Sequence, residues 1–157
     1  MPTLGQKAPA FVLSNQDRNN VALKDLKGKW IVLYFYPKDN TPGCTNEAVD
    51  FTRLHYEFKK RGAMVIGISP DSVKSHCSFI EKQGLSVMLL SDPEKEVIEE
   101  YGVWGRKKFM GREFMGVIRS TFLIDPAGKI VQIWNEVKVP GHADEVLTAL
   151  KRFQKKK

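Results

Sequence analysis

Cys44 is the residue of this chain best suited to nucleophilic chemistry. It lies in Tyr34-Phe35-Tyr36-Pro37-Lys38-Asp39-Asn40-Thr41-Pro42-Gly43-Cys44-Thr45-Asn46-Glu47. The residues before it, Trp30 to Tyr36, are β-branched and aromatic and read as a buried strand. Those after it, Ala48, Phe51, Leu54 and Phe58, recur at helical spacing. The thiol therefore sits where a strand-end loop turns into a helix. Unpaired backbone N–H groups and the positive end of the helix dipole favour an anion there, and cysteines so placed ionise more readily than a free cysteine. The neighbours have plain local readings. Pro37 ends a strand because it lacks an N–H. Thr41 suits the N-cap of the Cys44 helix. Glu47 suits the first turn, where a carboxylate complements the dipole.

Other site chemistries find little support. Two cysteines in 157 residues do not make a disulfide framework. There is no Cys-x-x-Cys, because the position three after Cys44 is Glu47. His55, His76 and His142 are scattered and form no ligand pair at metal spacing, so neither a metal nor another cofactor is expected.

The elements that must position Cys44 alternate between strand and helix, the pattern of an α/β domain. Residues 11–14 read as a short strand and 23–28 as a helical turn closed by Gly28. The Trp30–Tyr36 strand leads into a helix over 43–61 that Gly62 ends. Residues 63–69 are a second buried strand. Asp71 or Ser72 then caps a helix running to Gln83, with Gly84 as its stop. A strand over 87–90 precedes a helix over 93–101 with Asp92 as its cap. Strands over 120–124 and 129–137 flank the turn signal Asp125-Pro126-Ala127-Gly128. A helix over 142–155 closes the chain, with Val146, Leu147, Leu150 and Phe153 inward. Residues 102–119 show no clear period and read as a long surface loop, or as a wall of the active site.

Length and composition suit one domain spanning 1–157 with a single sizeable core. Hydrophobic residues make up 42% and charged residues 27%, a globular rather than a disordered balance. No apolar run approaches the ~20 residues needed to span a bilayer, and the N-terminus lacks the apolar stretch of a secretory signal. A cytoplasmic protein without membrane association is expected. The formal net charge is +7, but the C-terminal stretch Lys151-Arg152-Phe153-Gln154-Lys155-Lys156-Lys157 holds five positive charges, and without them it is +2. A terminal basic run reads as a solvated helix end rather than a nucleic-acid site.

Pro37-x-x-x-Thr41-x-x-Cys44 resembles the active-site signature of the peroxiredoxins. The wider segment from Tyr34 to Ala48, together with Ser91-Asp92-Pro93, Tyr101-Gly102-Val103-Trp104-Gly105 and the block Arg119 to Asp125, is similar to the bacterioferritin comigratory protein (peroxiredoxin Q) branch. The resemblance covers nearly the whole chain. It implies a thioredoxin-like fold, a central mixed β-sheet flanked by helices. It also implies a thiol-dependent peroxidase that reduces hydrogen peroxide and organic hydroperoxides, with thioredoxin or a similar thiol reductant as partner. The branch tends to be monomeric, with some dimers.

In that chemistry a thiolate attacks one peroxide oxygen while alkoxide or hydroxide leaves, and donors must face the charge that develops. The resemblance assigns Cys44 as the peroxidatic nucleophile, with Thr41 bonding sulfur and substrate and Pro37 shielding the thiolate. Arg119, far along the chain, is placed at the site by the resemblance alone. Tyr36 and Trp104 are candidates for the pocket wall or the core. One departure matters. Many members carry a second cysteine five positions after the first, where this chain has Val49. Others place a resolving cysteine on the next helix, where this chain has Cys77, one turn before the usual position near Ile80. Cys77 either resolves through an intramolecular disulfide or belongs to an apolar stripe with Val73 and Ile80. The alternatives are a one-cysteine cycle and an inactive thioredoxin-fold interaction module. The intact set of Pro37, Thr41, Cys44 and Arg119 argues against the last.

Overall fold

The computed structural model describes residues 1–155. Its frame is a seven-stranded mixed sheet, built from β1 (Val12–Asn15), β2 (Asn20–Ala22), β3 (Trp30–Phe35), β4 (Ala63–Ser69), β5 (Met88–Ser91), β8 (Ser120–Ile124) and β9 (Ile130–Trp134). Their order across the sheet is β2-β1-β5-β4-β3-β8-β9. The three middle strands β5, β4 and β3 are parallel, and the flanking pairs are antiparallel. Parallel neighbours require crossovers, which helices α1 (Pro42–Arg53) and α2 (His55–Lys60) supply between β3 and β4, and α3 (Val73–Gln83) between β4 and β5.

Every residue of β3 is buried, as expected of a central strand covered on both faces. Its side chains alternate. Trp30, Val32, Tyr34 and Tyr36 enter the core shared with Cys44, Phe51, Phe58, Phe79 and the last helix, α5 (His142–Lys155). Ile31, Leu33 and Phe35 enter the opposite core, with Phe11, Phe122 and Val97 and Ile98 of the short helix α4 (Glu96–Glu100). Ser72 caps α3 by accepting from the Ser75 N–H at 3.1 Å, and Gly84 ends it in the left-handed region at φ 63°. The Asp92 carboxylate accepts from the Ile98 N–H at 2.9 Å, holding the start of α4. Among the described residues no helix is long and apolar enough to cross a membrane. Of the basic C-terminal run, Lys156 and Lys157 lie outside the described residues.

Three expectations change. The helix expected over 43–61 is broken at Leu54, whose backbone (φ −96°, ψ 8°) leaves the helical region. The apolar period runs on across the break because Leu54 and Phe58 stay in one core. The segment 102–119 is not a loop but a hairpin of β6 (Trp104–Phe109) and β7 (Arg112–Val117), separate from the main sheet. Met110 and Gly111 form its two-residue turn, both at positive φ (52° and 77°), the geometry that matches strand twist. Most of its residues meet solvent, Phe109 at 67% and Met110 at 88% exposure, so no apolar alternation betrays the strands. The short strand β2, pairing with β1, was not expected either.

Candidate active site

β3 delivers the chain to the site and Pro37 stops it. Tyr36 N–H still donates to the Ile68 carbonyl at 3.1 Å, but Pro37 has no N–H with which to continue the ladder. The loop then turns at Asn40, held at φ 60°, and enters α1 with Pro42 in its first turn. Cys44 follows in that turn and is 2% exposed. Thr41 occupies the N-cap position with extended backbone, but its side chain makes no cap hydrogen bond. The expected side-chain cap is therefore absent. The Thr41 hydroxyl instead donates to the Lys38 carbonyl at 2.8 Å, bracing the loop. The first N–H donors of α1 gain no side-chain acceptor from Thr41 and remain available to an anion.

Arg119 reaches the thiol from the far side of the chain. It lies between β7 and β8, with its backbone carbonyl accepting from Val137 N–H at 2.9 Å. Its Nη2 donates to Cys44 Sγ at 3.3 Å and its Nη1 to Glu47 Oε1 at 2.7 Å. One guanidinium thus bridges two residues set one turn apart on α1. Gly43 allows the approach, since a Cβ there would stand 3.2 Å from Arg119 Nη2. Glu47 is 1% exposed, and its Oε2 has no hydrogen-bond partner among the described residues. Burial pushes the Glu47 carboxyl up to about 7, against the pull of Arg119. Burial also works against the Arg119 charge, but Glu47 and Cys44 more than offset it and hold the guanidinium protonated. The reading of Glu47 as a simple dipole partner is thus replaced by a buried ion pair. Lys107 escaped notice in the sequence. It is half-buried, donates to the Val117 carbonyl at 2.9 Å, and with Ile118, Arg119, Glu136 and Val137 lines a cavity of 330 Å³.

A second buried network lies on the other side of the loop. Asp39 Oδ1 accepts from the Tyr36 hydroxyl at 2.6 Å, and Oδ2 accepts from Ser75 Oγ at 2.7 Å and faces His76 Nδ1 at 2.8 Å. His76 Nε2 lies 3.0 Å from the Leu90 carbonyl, which can only accept, so that nitrogen carries a proton. Burial raises the Asp39 carboxyl, but the His76 contact and the hydrogen bonds from Tyr36 and Ser75 together outweigh it and hold the group below its ordinary range. Asp39 N–H donates to Asp71 Oδ2 at 2.8 Å, and Ser69 Oγ donates to the same oxygen at 2.7 Å. Asp39, Asp71 and His76 place ligand-type atoms within 4.8 Å of one another, a grouping that histidine spacing alone does not reveal. Each is committed to protein hydrogen bonds. Tyr36 belongs to this network and to the core. Trp104 is half-buried, with Lys95 Nζ 5.2 Å from its ring centroid.

Cys77 departs from the stripe reading. The buried face of α3 carries His76 and Phe79, and Cys77 points outward to solvent. Its Sγ lies 3.9 Å from Glu81 Oε1. Both cysteines are free.

Residues 4–133 match the AhpC/TSA family. Peroxiredoxin Bcp of Bacillus subtilis is 49% identical over 153 residues, 98% of each chain. This chain belongs to the peroxiredoxin family. Peroxiredoxin Bcp of Xanthomonas campestris is 48% identical, over 91% of this peroxiredoxin and 89% of the relative. A cysteine-to-serine mutant of Xylella fastidiosa peroxiredoxin Q superposes with a TM-score of 0.92 at 40% identity, covering 98% of both chains. The Xanthomonas campestris bacterioferritin comigratory protein, studied for alkyl peroxide reduction, superposes at 0.86 with 46% identity over 91% of both. The mixed sheet flanked by helices in this peroxiredoxin is the thioredoxin-like fold.

Proposed function

We propose that this peroxiredoxin reduces hydrogen peroxide and organic hydroperoxides through Cys44, and that Cys77 resolves the oxidised thiol. The observation that carries the reading is the Arg119 guanidinium, which donates to Cys44 Sγ at 3.3 Å at the start of α1. A permanently charged fork beside the sulfur offers a donor where peroxide oxygens must sit. In the first step Cys44 sulfur attacks the terminal peroxide oxygen. The S–O bond forms, the O–O bond breaks, and the alkoxide or hydroxide takes a proton and leaves. Cys44 becomes a sulfenic acid. Free N–H groups of the first turn of α1 and Arg119 stabilise the developing charge. Thr41 fixes the loop through Lys38, and a rotation about its Cα–Cβ bond brings its hydroxyl to bear on the substrate. Pro37 covers the thiolate side of the loop.

In the second step the Cys77 thiolate attacks the Cys44 sulfenic sulfur. An S–S bond forms, the S–O bond breaks, and hydroxide leaves as water after taking a proton. Cys44 is buried and Cys77 exposed, so the first turn of α1 must open, with Pro42-Gly43 as its weak point. A dithiol reductant of the thioredoxin type then restores both thiols. A cytoplasmic setting, with such a reductant at hand, suits a chain with two cysteines and no disulfide framework.

Intact mass after one equivalent of hydrogen peroxide tests the reading. The expected result is a loss of about two mass units, absent in Cys77→Ser. A gain of about 16 units in both proteins, reversed by added thiol, would replace the two-cysteine cycle with a one-cysteine cycle. No peroxide consumption would remove the enzymatic reading.

A further inference from the structure

We propose that His76 and Asp39 are positioning residues for the second step, a buried tether that keeps the opened Cys44 segment beside Cys77. The inference rests on the reading that Cys77 resolves. The pair is 0% and 1% exposed at its side chains. It joins the loop that carries Cys44 to the residue directly preceding Cys77. Its supports belong to parts that need not move: the end of β3 through Tyr36, β5 through the Leu90 carbonyl, and the end of β4 through Ser69 and Asp71. The part that must move starts after Asp39. Asn40 stands at φ 60°, Thr41 gives α1 no side-chain cap, and Pro42-Gly43 follow.

An opened α1 turn is therefore a short arm pivoting at Asn40 from a fixed point. Cys44 lies five positions after Asp39, so the arm reaches at most about 18 Å. Without the tether, the loop would be held only by Tyr36 at the end of β3 and by the Asp39 N–H on Asp71, and the arm carrying Cys44 would be longer and freer. A short fixed arm raises the effective concentration of Cys77 at the sulfenic sulfur, as a short linker does for any intramolecular encounter. The peroxide step draws on Arg119, the first turn of α1, Thr41 and Pro37, and the side-chain hydrogen bonds of Arg119 and Thr41 run to Cys44, Glu47 and Lys38 rather than to this pair. Resolution and attack should therefore respond separately to its loss.

The experiment is rapid-quench intact-mass analysis of the full chain with hydrogen peroxide. It follows the sulfenic form (about +16 mass units) and the disulfide (about −2) in time, for wild type, His76→Asn and Ser75→Ala. The expected result is a sulfenic-acid step within twofold of wild type in both variants. Disulfide formation should be slowed at least fivefold in His76→Asn and about twofold in Ser75→Ala, which removes one donor to Asp39. Sulfinic acid (about +32) should appear at lower peroxide in the slower variant. Ser75→Ala decides the matter alone if His76→Asn does not fold, as its thermal melt will tell. An unchanged disulfide step in a folded variant overturns the tether. So does a faster one, which would make the pair a brake, and so does an equal fall in both steps, which would mean general loosening. A wild type that never forms the disulfide overturns the resolving role itself, and the tether with it.

Discussion

Two buried ion pairs flank the Cys44 turn, and they are built to opposite specifications. Asp39–His76 is saturated: both carboxylate oxygens and both ring nitrogens have partners. Glu47–Arg119 is left open, with Glu47 Oε2 unpaired and one guanidinium nitrogen given to the thiol. The Asp39 carboxyl is held below its ordinary range, while burial pushes that of Glu47 up to about 7. A saturated pair resists any change of charge, and so it holds a loop in place. An open pair tolerates a change of charge beside it, which a centre alternating between thiolate and sulfenic acid requires. The difference separates holding from reacting within a few residues of one loop.

The sharpest way to break this contrast is to remove one partner from each pair. Asp39→Asn replaces the carboxylate shared by Tyr36, Ser75 and His76 with an amide that cannot accept at both positions. A loss of about 4 kcal/mol is expected, or roughly 10 °C in melting temperature, with peroxide attack by the remaining folded protein within threefold of wild type. Arg119→Met should do the reverse. Its second-order rate with hydrogen peroxide, read by stopped flow, should fall about 100-fold, while stability changes little because Glu47 can take up a proton. Variants that lose both properties together would erase the distinction.

Proton linkage sharpens the comparison at a smaller scale. Between its ordinary value of 4.5 and about 7, Glu47 in the folded protein keeps a proton that the unfolded chain has released. Stability from this group therefore falls as pH rises through that window and levels off above it. Denaturant titrations in Glu47→Gln should lack this fall, which amounts to about 3 kcal/mol across the window. Asp39 acts oppositely. Its contribution is present above its ordinary value of 3.8 and is lost as pH falls below it, through the lowered folded value. The smallest effect belongs to Gly43→Ala. A Cβ there stands 3.2 Å from Arg119 Nη2, so the guanidinium must yield by a few tenths of an ångström. A loss of about two- to fivefold in attack rate is expected, with no change in melting temperature.

How much of this was legible in the sequence depended on distance along the chain. The strand, the loop and the cysteine at a helix start are local, and Trp30 to Glu47 displayed them. Arg119 is remote from Cys44, and only the family resemblance pointed to it. Glu47 and Asp39 were both visible as carboxylates near the thiol, but their partners lie 72 and 37 positions away, and no local pattern signals such pairing. One of the two readings of Cys77 put it on an apolar stripe, because Val73 and Ile80 flank it. The tertiary fold instead rotated α3 to bury His76 and Phe79, the former drawn in by Asp39. The β6–β7 hairpin escaped because strand alternation needs one dry face, and this hairpin has none along most of its length.

That hairpin also gives this peroxiredoxin a second kind of oxidisable sulfur. Met110, at its turn, is 88% exposed and Met115 52%, so peroxide that escapes Cys44 meets thioethers open to solvent. Oxidation there is final as far as thiols are concerned, because methionine sulfoxide needs its own reductase. Each such event adds the same mass as a sulfenic acid and makes an apolar tip polar. Sulfoxide at the tip would thus accumulate with peroxide exposure, unlike the reversible thiol chemistry proposed for the cysteines.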